Sequence, residues 1–340
     1  MRYTKTGGPL NQIAITDKTK TAGELASELE LLPGELPAER NPAAVYLSTK
    51  APAGRSALER LLNQAAELAT NGKLNITSIA WHRIGYQHTS MMLNAIRESY
   101  SPATARLARA AIRGVLLEAW RLGLMPAEDY KRAADLPTVR GKAAPAGRAL
   151  ELAEIQAVLE LCENDKTPAG ARDGAILAIA YGCGLRRSEL LWLNYEHYDR
   201  KAGTLVVHGK GKKIRTVYLP AGAIRALEVW AKVRGTDPGP MFYPIRKGSR
   251  GEIIKTRRLN SSNSLLKICK KRARAAKVSP FSIHDLRRSH ITHLFDQGAD
   301  MSQIADLVGH AHVNTTRIYD RRGEESKRKT ANLIHVPYGG

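Results

Sequence analysis

Apolar residues recur at helical spacing along most of the chain, and the places where that spacing fails divide it. SALERLLNQAAELAT (56–70) and TARLARAAIRGVLLEAWRLG (104–123) carry strong helix formers in a 3.6-residue pattern. The second is announced by Ser101 as a cap and Pro102 at the first helical position, and it stops at Gly123. Residues 42–138 therefore predict a small all-helical bundle. Residues 1–41 mix Gly, Pro, Thr and Glu without lasting periodicity, which predicts an extension with one short helix near 22–31 and no assigned function.

LPTVRGKAAPAGRALE (136–151) loses the apolar period and gains prolines and glycines, so a linker is placed at 139–150 and a second domain at 151–321, with a tail at 322–340. In the second domain the pattern predicts helices at 151–163, 170–182, 221–234, 261–276, 282–297, 301–309 and 312–320. AILAIAYGCGL is apolar almost throughout, which marks the second of these as buried. GTLVVHGKGKKIRTVYLP (203–220) breaks the helical rhythm with two β-rich runs around a glycine-lysine turn, a hairpin signal. The expected fold class is mainly α with a small antiparallel β-sheet.

Charge adds a partner to this picture. The formal net charge of +21 over 340 residues favours a polyanion, since Lys and Arg release counterions from phosphates on binding. Nucleic acid is the first candidate and an acidic membrane surface the alternative. No segment approaches the roughly 20 apolar residues of a membrane span, and no N-terminal apolar run resembles a signal peptide. A soluble, cytoplasmic, nucleoid-associated protein is expected, with no membrane role. Residues 246–277 hold twelve Lys or Arg against one acid, Glu252, as either a solvated face or a phosphate-tracking surface. Cys162, Cys183 and Cys269 are scattered and read as small buried hydrophobes. No phosphate-cradling G-x-x-x-x-G-K-[ST] loop occurs, so ATP use is not indicated.

Candidate chemistry gathers in four stretches: YGCGLRRSELLWL (181–193), HGKGKK (208–213), IHDLRRSHITHLFDQGA (283–299) and LVGHAHVNTTRIYD (307–320). Singly their residues have ordinary explanations. Arg186 is placed to pair with Glu189 one turn on. Lys210 suits any turn, His284 and Arg287 share a helix face, and His310 fits a satisfied buried histidine. H-x-x-H at His290 and His293 lacks a nearby third ligand, so no metal is assigned.

Taken in order and spacing, the four stretches resemble the tyrosine recombinase, or phage integrase, family of Xer-like site-specific recombinases. The likeness covers the whole second domain, and the helical bundle is more loosely similar to the family's SAM-like core-binding domain. The resemblance implies a helical DNA-binding domain at 42–138 and a mixed α+β catalytic domain at 151–321. It implies a catalytic set of Arg186, Lys210, His284, Arg287, His310 and Tyr319, with Glu189 orienting the arginine. It further implies a 3′-phosphotyrosyl intermediate on Tyr319, strand exchange through a Holliday junction in integration, excision or resolution, and no cofactor. The implied partners are double-stranded DNA sites, a homotetramer on two of them, and accessory DNA-bending or regulatory proteins, with the tail docking on a neighbouring protomer or folding back on its own domain. Arg106, Arg109 and Arg113 along 104–123, and Arg257, Arg258, Lys270 and Lys271 in the basic run, are candidate DNA contacts, base or phosphate. Two other readings stay open at this point: relaxation of DNA in the manner of a type IB topoisomerase, and a DNA-binding accessory protein without cleavage.

Overall fold

The computed structural model describes residues 27–31, 36–141, 147–209, 213–246, 251–259, 261–310 and 314–320. Lys210, the tail at 322–340 and most of the extension lie outside the described residues. The chain divides into two compact units, 1–145 and 146–340.

The first unit is helical: α1 (Pro42–Ser48), α2 (Pro52–Ala69), α3 (Tyr86–Ser99), α4 (Pro102–Arg121) and α5 (Ala127–Ala134). α4 starts at Pro102, where the Ser101 cap placed it: Ser101 Oγ accepts from Thr104 N at 3.3 Å and Pro102 opens the first turn. Its buried stripe, Ala105, Ala108, Ala111, Ile112, Val115, Leu116 and Ala119, follows the 3–4 spacing that faces a core. Residues 27–31, assigned above to the extension, belong to this unit. Leu29 is fully buried, Ala80 N donates to its carbonyl at 2.7 Å, and Leu31 N donates to Ser78 O at 2.8 Å.

The second unit is built on α6 (Leu152–Asn164), α7 (Pro168–Gly182) and α8 (Arg187–Trp192), then a sheet of β1 (Tyr198–Asp199), β2 (Thr204–His208) and β3 (Ile214–Tyr218). It continues through α9 (Ala221–Arg234), α10 (Ser262–Ala275), α11 (Ile283–Asp296), α12 (Met301–Val308) and α13 (Asn314–Arg317). The sheet is antiparallel in the order β1-β2-β3, with Val207 opposite Arg215 and His208 opposite Ile214. α7 is buried nearly all round, as its composition requires, and packs against α6, α9 and α11. Cys162, Cys183 and Cys269 are buried in the same core.

Two expectations change here. The segment read as linker is bonded at its far end to α11, where Arg148 N donates to Asp285 Oδ1 at 3.0 Å and Leu150 N to Ser289 Oγ at 2.7 Å. The helix expected over 312–320 is only the four residues of α13, and Tyr319 sits in the turn that follows. No helix among the described residues is long and apolar enough to cross a membrane.

Candidate active site

The site forms at the C-terminal end of α12. A helix leaves its last carbonyls without intrahelical partners and carries partial negative charge there. Three arginines from three other elements take three successive carbonyls. Arg215 Nε donates to Leu307 O at 3.3 Å, Arg287 Nη2 to Val308 O at 2.9 Å, and Arg186 Nη2 to Gly309 O at 2.6 Å. Gly309 makes this end possible: its φ of +67° is left-handed, and a Cβ there would lie 3.0 Å from Arg215 Nη1. Gly184 plays the matching part before α8. Its φ is +58°, a Cβ would lie 2.6 Å from His290 Cδ2, and its carbonyl accepts from Arg287 Nη1 at 2.5 Å.

Glu189 holds the arginines from the other side. It is buried, and it accepts from Arg186 Nη1 at 2.8 Å and Arg186 N at 2.9 Å. Arg215 grips both carboxylate oxygens, each at 2.9 Å, in the bidentate geometry that suits a guanidinium. Burial alone would raise the Glu189 pKa, but the bonds from Arg215 and Arg186 outweigh it and hold the carboxyl at about 2. Arg287 is buried among like charges, so burial first and Arg186 second lower its pKa to about 10.

His310 follows Gly309 directly. Its Nδ1 is 2.7 Å from Thr316 Oγ1, and burial together with Arg287, Arg186 and Arg215 lowers its pKa to about 4, so the ring is neutral near pH 7. Thr316 also fixes the next turn, because Tyr319 N donates to its carbonyl at 3.0 Å. The Tyr319 and His310 rings are stacked with centroids 6.4 Å apart and planes 18° from parallel. The Arg288 guanidinium lies over the Tyr319 ring, 5.4 Å from its centroid. Tyr319 is half-buried against the small cluster of Ile291, Phe295, Ile304 and Val308. A tyrosine in polar company in the sequence thus rests on an apolar shelf in the fold.

The structure therefore brings Arg186, Glu189, Arg287, His310 and Tyr319 together. His284 lies on α11, one turn before Arg287, its pKa lowered by partial desolvation and by the Arg287 and Arg288 charges. Arg215 and Thr316 were not singled out from the sequence. Arg215 did leave a trace: it shares the inward face of β3 with buried Val217, and an inward arginine needs a partner. Exposed Ile214 and Tyr218 on the other face blurred that alternation.

The candidate DNA contacts fare unevenly. Arg106 donates to Gly141 O at 2.8 Å, Arg109 to Leu136 O at 2.9 and 2.6 Å, and Arg258 to Leu191 O and Leu193 O at 3.0 Å, so these guanidiniums hold backbone. Arg113, Arg257, Lys270 and Lys271 are exposed. Among the described residues no group of three or more His, Cys, Asp or Glu side chains could hold a metal ion, and His293 Nδ1 instead lies 2.9 Å from the Tyr181 hydroxyl.

Residues 148–325 match the model of the phage integrase family, a stretch that contains every element of this site. The chain belongs to the phage integrase family. As a tyrosine recombinase it is an enzyme of site-specific DNA recombination. Among its relatives, tyrosine recombinase XerD of Pseudomonas aeruginosa is 33% identical over 230 residues, covering 66% of this chain and 72% of the relative. Tyrosine recombinase XerC of Myxococcus xanthus is 33% identical over 254 residues, covering 72% and 79%. The recombinase also shares its fold with XerH site-specific recombinase bound to palindromic difH substrate in a post-cleavage complex, at a TM-score of 0.58 and 23% identity, covering 86% of this chain and 79% of that one.

Proposed function

We propose that this recombinase cuts and rejoins duplex DNA by transesterification at Tyr319, leaving a 3′-phosphotyrosyl bond, and exchanges strands through a Holliday junction. The observation that carries the reading is the stacking of Tyr319 on His310 beside the carbonyls where Arg186 and Arg287 converge. Attack on a phosphodiester adds charge to the nonbridging oxygens, and guanidinium forks are suited to two such oxygens at once. Arg186 and Arg287 take that part, and neutral His310 adds a hydrogen bond. His284, whose lowered pKa leaves it able to accept a proton near neutrality, assists the Tyr319 hydroxyl. Lys210 protonates the leaving 5′ oxygen. Glu189 orients Arg186. The diester energy stays in the phosphotyrosyl bond, so rejoining calls for no nucleotide cofactor.

The net charge of +21 supports double-stranded DNA as the partner, and the XerH relative is bound to its difH substrate. The first unit is the core-binding domain, with Arg113 an exposed arginine on α4, while Arg257, Lys270 and Lys271 serve phosphates in the second. Four protomers act on two sites, aided by accessory proteins. The test is incubation with nicked duplex fragments in EDTA, followed by SDS. An SDS-resistant adduct that disappears in Tyr319→Phe, with DNA affinity kept within about twofold, is the expected result. An adduct that persists in Tyr319→Phe, or tight binding with no adduct, overturns the reading.

A further inference from the structure

Arg215 lies on a strand, outside the catalytic set above, yet its guanidinium makes three bonds to the site's framework. Its fork takes both oxygens of buried Glu189, its Nε takes Leu307 O, and its side chain passes over the bare Cα of Gly309. It thereby joins β3, α8 and the end of α12. Among the described residues, the titratable groups around Glu189 are Arg186 at the start of α8, Arg215 on β3, Arg287 on α11 and the neutral His310 after α12. Among the described residues, Arg186 and Arg215 bond the carboxylate. With Arg215 fixed on both oxygens, the carboxylate has one orientation left in which to receive Arg186.

We propose that Arg215 is a positioning residue for cleavage: it locks Glu189 and the end of α12, and through them sets the guanidinium of Arg186 against the scissile phosphate. The proposal rests on the transesterification reading above. An arginine held this way contributes where negative charge develops on the nonbridging oxygens, so its loss acts on that charge rather than on DNA affinity.

The experiment compares Arg215→Gln with wild type in single-turnover adduct formation at saturating DNA, on an ordinary phosphodiester and on a neutral methylphosphonate at the scissile position. The expected result is a diester rate lowered by about 10–100-fold, the range for loss of an orienting partner, with affinity within about twofold. The methylphosphonate, which has less charge for Arg186 to meet, slows by less than about threefold. Glu189→Gln with Arg215→Gln is no slower than Glu189→Gln alone. Equal slowing on both substrates, or additive losses in the double variant, overturns the proposal and leaves Arg215 a general prop. If wild type makes no Tyr319-dependent adduct, the functional reading fails, and the joint is judged by unfolding. Arg215→Gln then loses stability on acidification at higher pH than wild type, and adding Glu189→Gln removes the difference. Identical acid profiles for wild type and Arg215→Gln overturn it.

Discussion

The two units close their interiors in different ways. Among the described residues, the polar side chains buried in the first unit are Asn41, Thr70, His88 and Thr89, whereas every buried Arg, Asp and Glu lies in the second. Burying a charge costs several kcal/mol unless partners replace the water it loses. The second unit meets that cost in several places, two of them built from carboxylates and guanidiniums together. Asp173 bonds Arg172 and Arg272, and Arg272 reaches Asp165, which ties α7 to α10. Glu189, Arg186, Arg215 and Arg287 do the same around the end of α12, beside His310 and Tyr319. Buried charge is thus a structural habit of this unit, and the site is one instance of it.

The sharpest way to break the contrast is Asp173→Ala, which takes the carboxylate partner from buried Arg172 and leaves buried Arg272 with Asp165 alone. Loss of one partner of such a pair costs about 3–5 kcal/mol, expected in the second unit's transition during denaturant unfolding and absent from the first. Acid should act next. The folded pKa of Glu189 is about 2 against an ordinary 4.5, so its stabilisation is complete above pH 4.5 and drains away as pH falls through that range. His290, buried beside Arg287, has a folded pKa of about 4 against 6.5, and the unfolded chain takes up its proton first, so stability is lost as pH falls from 6.5 to 4. Each contributes about 3 kcal/mol at the acid end. Calorimetry should show the second unit weakening below pH 6.5, with His290→Phe making that upper limb shallower and leaving the share of His310, whose folded pKa is also about 4.

Smaller effects sharpen the comparison. Gly309→Ala forces a side chain into left-handed backbone, at about 1–2 kcal/mol, and presses on Arg215, so the second unit's melting temperature should fall. In the first unit, Thr89→Val removes a neutral hydrogen bond to Ala133 O of 2.8 Å and should cost about 1 kcal/mol. A loss there as large as that from Asp173→Ala would erase the distinction between the interiors.

How much of this was legible depended on whether the signal was local. Ser101–Pro102 announced α4, the glycine-lysine turn announced the β2–β3 hairpin, and the order of Arg186, Glu189, Arg287, His310 and Tyr319 anticipated residues that now meet. Arg215 was hidden because its partners, Glu189 and Leu307, are distant in sequence and carbonyls have no sequence signature. Thr316 was hidden because one threonine in TTRIY looks like another, although it holds His310 by its side chain and Tyr319 by its backbone. Arg109 and Arg258 looked free for DNA, yet they cap backbone carbonyls in their own units. The end of the linker misled for the same reason: the bonds of residues 148 and 150 to α11 are made across more than a hundred residues.

The most direct test of the account is the chemical identity of the DNA attachment. The adduct formed in EDTA should be digested with nuclease and protease and the nucleotide-bearing peptide sequenced by mass spectrometry. The account predicts a nucleotide remnant on Tyr319, linked through its 3′ phosphate. A remnant on any other residue, or a 5′ linkage, would contradict it.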